Sequence, residues 1–222
     1  MGKGSGKWTG YLAELLVVII GITIAFAIEN YAANRKEKAE ELLHLKGIAN
    51  DLIADKGSFE EYTTYNRETL TFAKRFNQLL QGRETKHDSL NFLLMRMGWI
   101  SSYDPRDIAY QSLKSSGGLD KISNFDLRNR IVYHYEQKTS QVRFLNEMHN
   151  RTFNSDISPT LLKFADYTGG KAIDPAFFNE RKNINLFAGL EGLLNNKIAE
   201  YQEAVAFTEA ILQEVEKEIE RF

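Results

Sequence analysis

The feature that most constrains this chain is an apolar run over Tyr11–Tyr31, with the sequence YLAELLVVIIGITIAFAIENY. A helix crosses the ~30 Å hydrocarbon core of a bilayer with about 20 mostly apolar residues, and this run has that length. Aromatic residues stand near both of its ends, Trp8 and Tyr11 before it and Tyr31 after it, where membrane–water interfaces favour them. The run therefore predicts a single transmembrane helix.

Two other interpretations of the run are a cleaved signal peptide and a buried core helix. A signal peptide has an apolar core of roughly 7–15 residues followed by a small-x-small cleavage site. The candidate site, A-F-A at residues 25–27, lies inside the run, and the charged segment Asn34–Lys38 follows. A soluble core helix is seldom apolar on every face over such a length. We therefore predict an N-terminal tail at 1–10, an uncleaved transmembrane helix at 11–31 and an extramembrane domain at 32–222.

Two small residues inside the span, Gly21 and Ala25, form a small-xxx-small pair. This spacing lets two helix backbones approach closely, so it predicts membrane helix packing. Because glycine is common in membrane helices, the pair also fits ordinary lipid-facing composition.

Glu14 is an ionisable residue one turn inside Tyr11. A charge there is costly unless it faces protein, water or the headgroups. Two interpretations stay open. The carboxylate reaches interfacial water or pairs with Lys7, or it marks a subunit contact or a path for protons or ions.

Basic residues flank the span on both sides, Lys3 and Lys7 before it and Arg35, Lys36, Lys38 and Lys46 after it. The positive-inside count favours a cytoplasmic domain. A short basic N-terminus before a single span is instead the usual signal-anchor arrangement, which exports the domain. We expect export.

Charge and cysteine content exclude several classes of protein. The formal net charge is −2, which gives no electrostatic footprint for nucleic acid. The chain has no cysteine, which excludes disulfides and thiolate metal sites and suits an exported domain.

Beyond the span, the segment Asn34–Lys56 contains no proline and is rich in strong helix formers. One helix is therefore predicted to run from the bilayer into the domain and to end at Gly57. A second helix is expected to begin at Ser58 and to end at Gly82.

Capping patterns predict further helix starts in the middle of the chain. In the pair Asp104-Pro105, a capping residue precedes a proline at the first helical position. The sequence S-N-F-D at 123–126 resembles a capping box and opens a long helix that is expected to end near Phe153. Ser158-Pro159 predicts one more short helix.

The last segment has the clearest periodicity in the chain. Its residues follow the four- and three-residue steps of a heptad seam at Leu194, Ile198, Tyr201, Val205, Thr208, Leu212, Val215, Ile219 and Phe222. The seam fits a bundle helix packed within its own domain and also a coiled coil between protomers. No β-hairpin signal is present. We predict an all-α fold, in which the transmembrane helix continues into a helical bundle with a long C-terminal heptad helix.

Two stretches of the sequence are distinctive: ELLVVIIGITIAFAIEN at Glu14–Asn30 and IAYQSLKSSGGLDKISNFDLRNRI at Ile108–Ile131. Together they resemble an uncharacterised family of bacterial single-span membrane proteins that is common in the Bacteroidota. In that family Asn-Asn-Trp commonly follows the span, whereas Glu29-Asn30-Tyr31 stands here. The resemblance implies a location in the bacterial cytoplasmic (inner) membrane. It supplies no activity, ligand or catalytic residue.

A search for chemistry gives little. The four histidines, His44, His87, His134 and His149, do not form His-x-x-x-His or His-Glu-x-x-His. The sequence has no Gly-x-Ser-x-Gly elbow. The aromatic residues over 59–76 fit a core better than a ligand box. We predict no catalytic residue, no metal and no cofactor, and we interpret the chain as a non-enzyme.

The functional hypothesis that follows is a membrane-anchored interaction or scaffold protein, as a homo-oligomer or as an accessory subunit of a larger membrane complex. Its expected partners are membrane lipid and either further copies of itself or other membrane-protein subunits, and not nucleic acid. The alternative is a single-span sensor or ligand-binding module that acts through a partner.

Overall fold

The computed structural model describes residues 5–169 and 172–222. Within these residues the chain is helical and contains no strand, which confirms the all-α prediction. Seven α-helices follow one another: α1 Ser5–Gln81, α2 Leu90–Arg96, α3 Ile108–Ser115, α4 Phe125–Tyr133, α5 Thr139–Thr152, α6 Ser158–Phe164 and α7 Arg181–Ile219. Short 3₁₀ helices lie at Gly118–Lys121 and Pro175–Asn179, and π turns lie at His134–Lys138 and Phe153–Ile157. Of the expected tail at 1–10, residues 1–4 lie outside the described residues, and α1 begins at Ser5.

Helix α1 is a single helix of 77 residues that contains both the span and one wall of the domain. The expected break between Gly57 and Ser58 is wrong, because α1 runs through both residues. A glycine within a helix costs only about 1 kcal/mol relative to alanine. The fully buried side chains of Leu52 and Phe59 hold the helix against the bundle on both sides of Gly57, so packing overrides the local preference.

Helix α7 runs antiparallel to α1, and three hydrophobic clusters follow each other along the pair. The cluster nearest the apolar segment of α1 joins Leu45 and Ile48 of α1 to Ile211 and Val215 of α7. The middle cluster contains Phe59, Tyr103 and Tyr201. The distal cluster contains Phe76, Phe177, Phe187 and Leu194. The domain is therefore elongated along α1.

Helices α4, α5 and α6 form one helical run over Phe125–Phe164, interrupted only by the two π turns. The expected end near Phe153 is wrong, because the second π turn joins α5 directly to α6. Helix α6 does begin at Ser158. The run starts at the expected capping sequence, 123–126. The capping residue is Asn124 rather than Ser123, and its side chain accepts the N–H of Leu127 at 3.2 Å.

Helix α3 begins at Ile108, so the start expected at Asp104-Pro105 is wrong. Its preceding residue, Asp107, makes no side-chain capping bond. The N–H of Ala109 in its first turn is bound instead by Asp51 of α1, at 2.7 Å. The start of α3 is thus fixed by a distant helix rather than by its own sequence.

Candidate functional site

Two carboxylates one turn apart on α1 hold the segment that leads into α3. Asp51 accepts the N–H of Ala109, and Asp55 Oδ1 accepts the N–H of Arg106 at 2.7 Å. Asp55 is fully buried. Its second oxygen, Oδ2, therefore points into the bundle.

The π turn at His134–Lys138 faces Asp55. Such turns add one residue to a helical turn and are frequent at functional sites. Here both His134 and Tyr135 are buried, although they are consecutive. His134 Nε2 lies 3.6 Å from Asp55 Oδ2, and the Tyr135 ring stacks on Tyr110 at a centroid distance of 4.4 Å.

Asp55, Tyr103, His134 and Tyr135 together form what we call the Asp55 centre. Within the described residues, both ring nitrogens of His134 and the Tyr135 hydroxyl make no hydrogen bond, and the Tyr103 hydroxyl faces the Asp55 carboxylate. Burial, and after it the negative charge of Asp55, raises the pKa of Tyr103 and of Tyr135. These hydroxyls therefore stay protonated, and they are available as donors inside the bundle.

A second buried group, the Lys197 centre, consists of Lys197, His149 and Ser101. Lys197 Nζ lies 3.1 Å from His149 Nδ1 and 3.5 Å from the carbonyl oxygen of Ser101. Among the described residues no carboxylate pairs with Lys197, which is 0% exposed. Burial lowers the pKa of Lys197 to about 8. Burial, and then the charge of Lys197, lowers the pKa of His149 to about 3, so this imidazole is neutral and its Nδ1 can accept a hydrogen bond from the lysine ammonium.

Hydrogen bonds and ring contacts connect the Lys197 centre to α1. Asn66 of α1 donates to Ser101 Oγ at 3.2 Å, and Phe59 packs on Tyr103 at 4.6 Å and on Tyr201 at 6.0 Å. All of these side chains are buried. An external substrate cannot reach either centre without movement of the helices. Across 5–169 and 172–222, no three His, Asp or Glu side chains are grouped as metal ligands.

The span residues singled out in the sequence lie on an exposed helix. No residue lies within 4 Å of a Cβ built on Gly21, and Ala25 and Glu14 are exposed. All three lie on one side of α1, because they are separated by one or two helical turns. The side chain of Lys7, considered as a partner of Glu14, lies outside the described residues.

The C-terminal seam lies inside the domain. Leu194, Ile198, Tyr201 and Val215 are buried within the chain, and Val205, Leu212 and Ile219 are half-buried against the same clusters. The structure therefore gives the seam an intramolecular partner, mainly α1.

Two of the aromatic residues expected in the core, Tyr65 and Phe72, are only half-buried. Phe59 and Phe76 are fully buried, but Tyr65 and Phe72 line a shallow depression with Arg96 and Trp99. Phe92 packs on Phe72 at 6.0 Å, and the Arg96 guanidinium lies 4.9 Å from the Phe72 ring centre. Trp99 is 70% exposed. We call these five residues, Tyr65, Phe72, Phe92, Arg96 and Trp99, the distal aromatic patch.

Sequence reasoning missed both buried centres and the distal aromatic patch. The only signal for the first was the adjacent His134-Tyr135 pair, which local periodicity places on different faces of a regular helix. Lys197 carries no signal, because a lysine within a heptad pattern normally lies in solvent.

One protein-family model matches the chain, over residues 14–188, and its description is a family of unknown function, DUF6090. No curated protein matches the chain. No solved structure matches it either.

Proposed function

We propose that this chain, which belongs to the DUF6090 family of unknown function, is a single-pass membrane-anchored interaction protein. One observation carries the proposal: the helix that contains the span is continuous with the helix that forms the wall of the domain. A movement or contact of the span is therefore transmitted to the domain without a flexible linker.

The exposure of the span supports the membrane anchor. Within the described residues, one helix is long and apolar enough to cross a bilayer, and none of its apolar window is buried in the protein. An apolar helical segment of this length that is exposed on all sides needs lipid or other membrane helices around it. We place the span in the bacterial cytoplasmic membrane and the domain on its periplasmic side.

Two surfaces suit the partners of such a protein. The first is the face of the span that contains Gly21 and Ala25, which leaves room for a second helix. The second is the distal aromatic patch, whose Trp, Tyr and Arg side chains are the types that dominate binding energy at protein interfaces. Assembly with itself would use the first surface, and a foreign subunit would use the second.

The first experiment is extraction of the full chain from native membranes in mild detergent, followed by measurement of the particle's mass and composition. A multiple of the 25.5 kDa chain would indicate a homo-oligomer, and foreign subunits in fixed ratio would indicate an accessory protein. A detergent-bound monomer without any partner would contradict the proposal.

The absence of cysteine allows a sharp test of the span face. Gly21→Cys should form a disulfide-linked dimer in oxidised membranes, whereas Ile19→Cys, on the opposite side of the helix, should not. In the distal aromatic patch, Trp99→Ala should release a foreign subunit, and Phe144→Ala, an equally exposed aromatic residue elsewhere, should not. If Gly21→Cys and Ile19→Cys crosslink equally, the span face is not a dimer interface. If Trp99→Ala and Phe144→Ala retain a foreign subunit equally, the distal aromatic patch is not its binding surface.

The Asp55 centre favours a second candidate function, a sensor or ligand-binding module. Several of its buried polar atoms make no hydrogen bond within the described residues, and Asp55 lies on the helix that continues into the membrane. A small polar ligand that satisfied these atoms would change the packing of α1. A metabolite that raises the melting temperature of the wild type but not of His134→Phe would support this function, and no response across a broad panel would count against it.

A further inference from the structure

A cleft of about 670 Å³ opens between α1 and the 3₁₀ helix at the membrane-proximal end of the domain. One wall runs from Ala33 to Glu41 on α1, and the other contains Asp120, Lys121 and Ser123. We call it the juxtamembrane cleft. Since a helix rises 1.5 Å per residue, its α1 wall begins about 3 Å and ends about 15 Å beyond Tyr31. The headgroup region extends roughly 5–7 Å beyond the hydrocarbon core, so the lower part of the cleft lies at headgroup depth.

The charged side chains at the upper end of the cleft are paired or hydrogen-bonded within the protein. Lys121 Nζ lies 2.8 Å from Glu40 Oε2 and lowers the pKa of that carboxyl. Glu41 accepts both the N–H and the O–H of Ser123, at 2.7 and 2.8 Å. Asp120 pairs with Arg128 at 2.7 Å.

The side chains on the α1 rim are not neutralised in this way. Within the described residues, Glu37 and Lys38 make no hydrogen bond or ion pair, and both line the cleft. Lys36 lies 4.0 Å from Glu40, and its side chain is 80% exposed. Because Lys36 and Lys38 are two residues apart, they lie on opposite sides of the helix. On one side the rim therefore offers the ammonium group of Lys38 next to the carboxylate of Glu37.

We propose that the juxtamembrane cleft binds the headgroup of a zwitterionic aminophospholipid of the phosphatidylethanolamine class, an inference that rests on the proposed membrane anchor. The lipid phosphate accepts a hydrogen bond from Lys38, and the primary ammonium of the lipid donates to Glu37. An anionic headgroup lacks the ammonium and would leave Glu37 unpaired beside a negative charge. A choline headgroup carries a positive charge but has no N–H to donate.

Two exposed aromatic side chains at the same end of the domain support contact with the bilayer surface. Phe125 follows the cap of α4, and Phe222 lies just beyond α7. Both are exposed, and Asn124, next to Phe125, donates to Glu218 at the end of α7. Both side chains lie at the end of the domain that faces the span, and exposed aromatic residues on that side favour contact with the membrane–water interface.

The test is lipid binding by the full-length chain, delipidated in a mild nonionic detergent. Phosphatidylethanolamine, phosphatidylcholine and phosphatidylglycerol with identical acyl chains are titrated separately, and bound lipid is counted by native mass spectrometry. We expect phosphatidylethanolamine to bind about threefold to tenfold more tightly than the other two, which is the range of one or two solvent-exposed ion pairs. Glu37→Gln and Lys38→Gln should each remove this preference.

Matched controls lie on the same helix beyond the cleft. Glu61→Gln and Lys46→Gln change exposed residues of the same types and should keep the wild-type preference. Equal binding of the three lipids, or a preference for phosphatidylglycerol, would overturn the headgroup assignment. Alkaline carbonate extraction of membranes tests the anchor separately: a chain that is released fails the proposed function, and a chain that is retained but does not discriminate lipids fails only this inference.

Discussion

Lys197 has a positive charge that the folded chain buries without a carboxylate beside it. Burial lowers its pKa to about 8, whereas a lysine in the unfolded chain keeps a pKa near ~10.4. Between these values the unfolded state binds more protons than the folded state, so the free energy of unfolding rises with pH. We expect a rise of about 2 kcal/mol between about pH 8 and pH 10, measured by urea unfolding of the full chain in nonionic detergent.

The control for this prediction is a pair of lysine substitutions. Lys197→Met keeps most of the side-chain volume without the charge and should flatten the pH dependence, while Lys74→Met, at an exposed position of α1, should not. The window closes near pH 10 because burial raises the pKa of Tyr103 and Tyr135, whose ionisation in the unfolded state then reverses the trend. An unchanged slope in Lys197→Met would contradict the assignment to this residue.

Asp51 caps a helix to which it does not belong. Its carboxylate accepts the N–H of Ala109 in the first turn of α3. Asp51→Ala should lower the free energy of unfolding by about 1–2 kcal/mol, the usual cost of losing a cap, because that N–H loses its partner. Asp51→Asn should cost less, since the amide oxygen still accepts. The free energies of unfolding of the two variants are measured by urea unfolding. Equal decreases would mean that the hydrogen bond from Ala109 N–H to Asp51 does not stabilise α3.

Two glycines within α1, Gly47 and Gly57, have different surroundings. A Cβ on Gly57 would have no atom within 4 Å, whereas a Cβ on Gly47 would lie 3.0 Å from Ala109 Cβ. Gly57→Ala should raise the free energy of unfolding by about 0.5–1 kcal/mol, because alanine favours the helix. Gly47→Ala should lower it by about 1 kcal/mol, because α3 must shift. Both are measured by urea unfolding, and destabilisation by Gly57→Ala would indicate a break in α1 at that residue.

At the level of helices, the sequence predicted correctly those features that depend on local residue preferences. The helical class, the start of α6 at Ser158 and the long C-terminal helix follow from propensity and periodicity. The errors have long-range causes. Packing carries α1 through Gly57, and Asp51 moves the start of α3 past Asp104-Pro105. The π turn that buries His134 beside Tyr135 changes the helical period itself, so a pattern search based on a regular helix cannot find the Asp55 centre.

In the whole molecule, one helix connects three zones: the exposed apolar span, the juxtamembrane cleft and the buried polar centres. The distal aromatic patch lies further along the same helix, where Tyr65 and Phe72 follow Asp55 by several turns. The order of these zones along α1 separates the proposed lipid contacts from the proposed protein contacts. Lipid contacts act near the bilayer, and a protein partner with a domain of its own would contact the far end.

The last prediction concerns the height of the domain above the membrane. If α1 stands upright, Lys46 lies about 22 Å and Gln78 about 70 Å beyond Tyr31. Because the chain has no cysteine, Lys46→Cys and Gln78→Cys can each be labelled with a single fluorescent donor at an exposed site. With acceptors on the lipid headgroups of reconstituted vesicles, energy transfer should be strong from residue 46 and weak from residue 78.

Equal transfer from the two positions would mean that the domain lies along the bilayer. In that case the distal aromatic patch would face lipid, and its exposed Trp99 would be an interfacial anchor rather than a contact for a protein. Strong transfer from residue 46 alone leaves Trp99 in water, where an exposed aromatic cluster needs a protein partner to cover it. The height of α1 therefore decides which of the two surfaces is available for a foreign subunit.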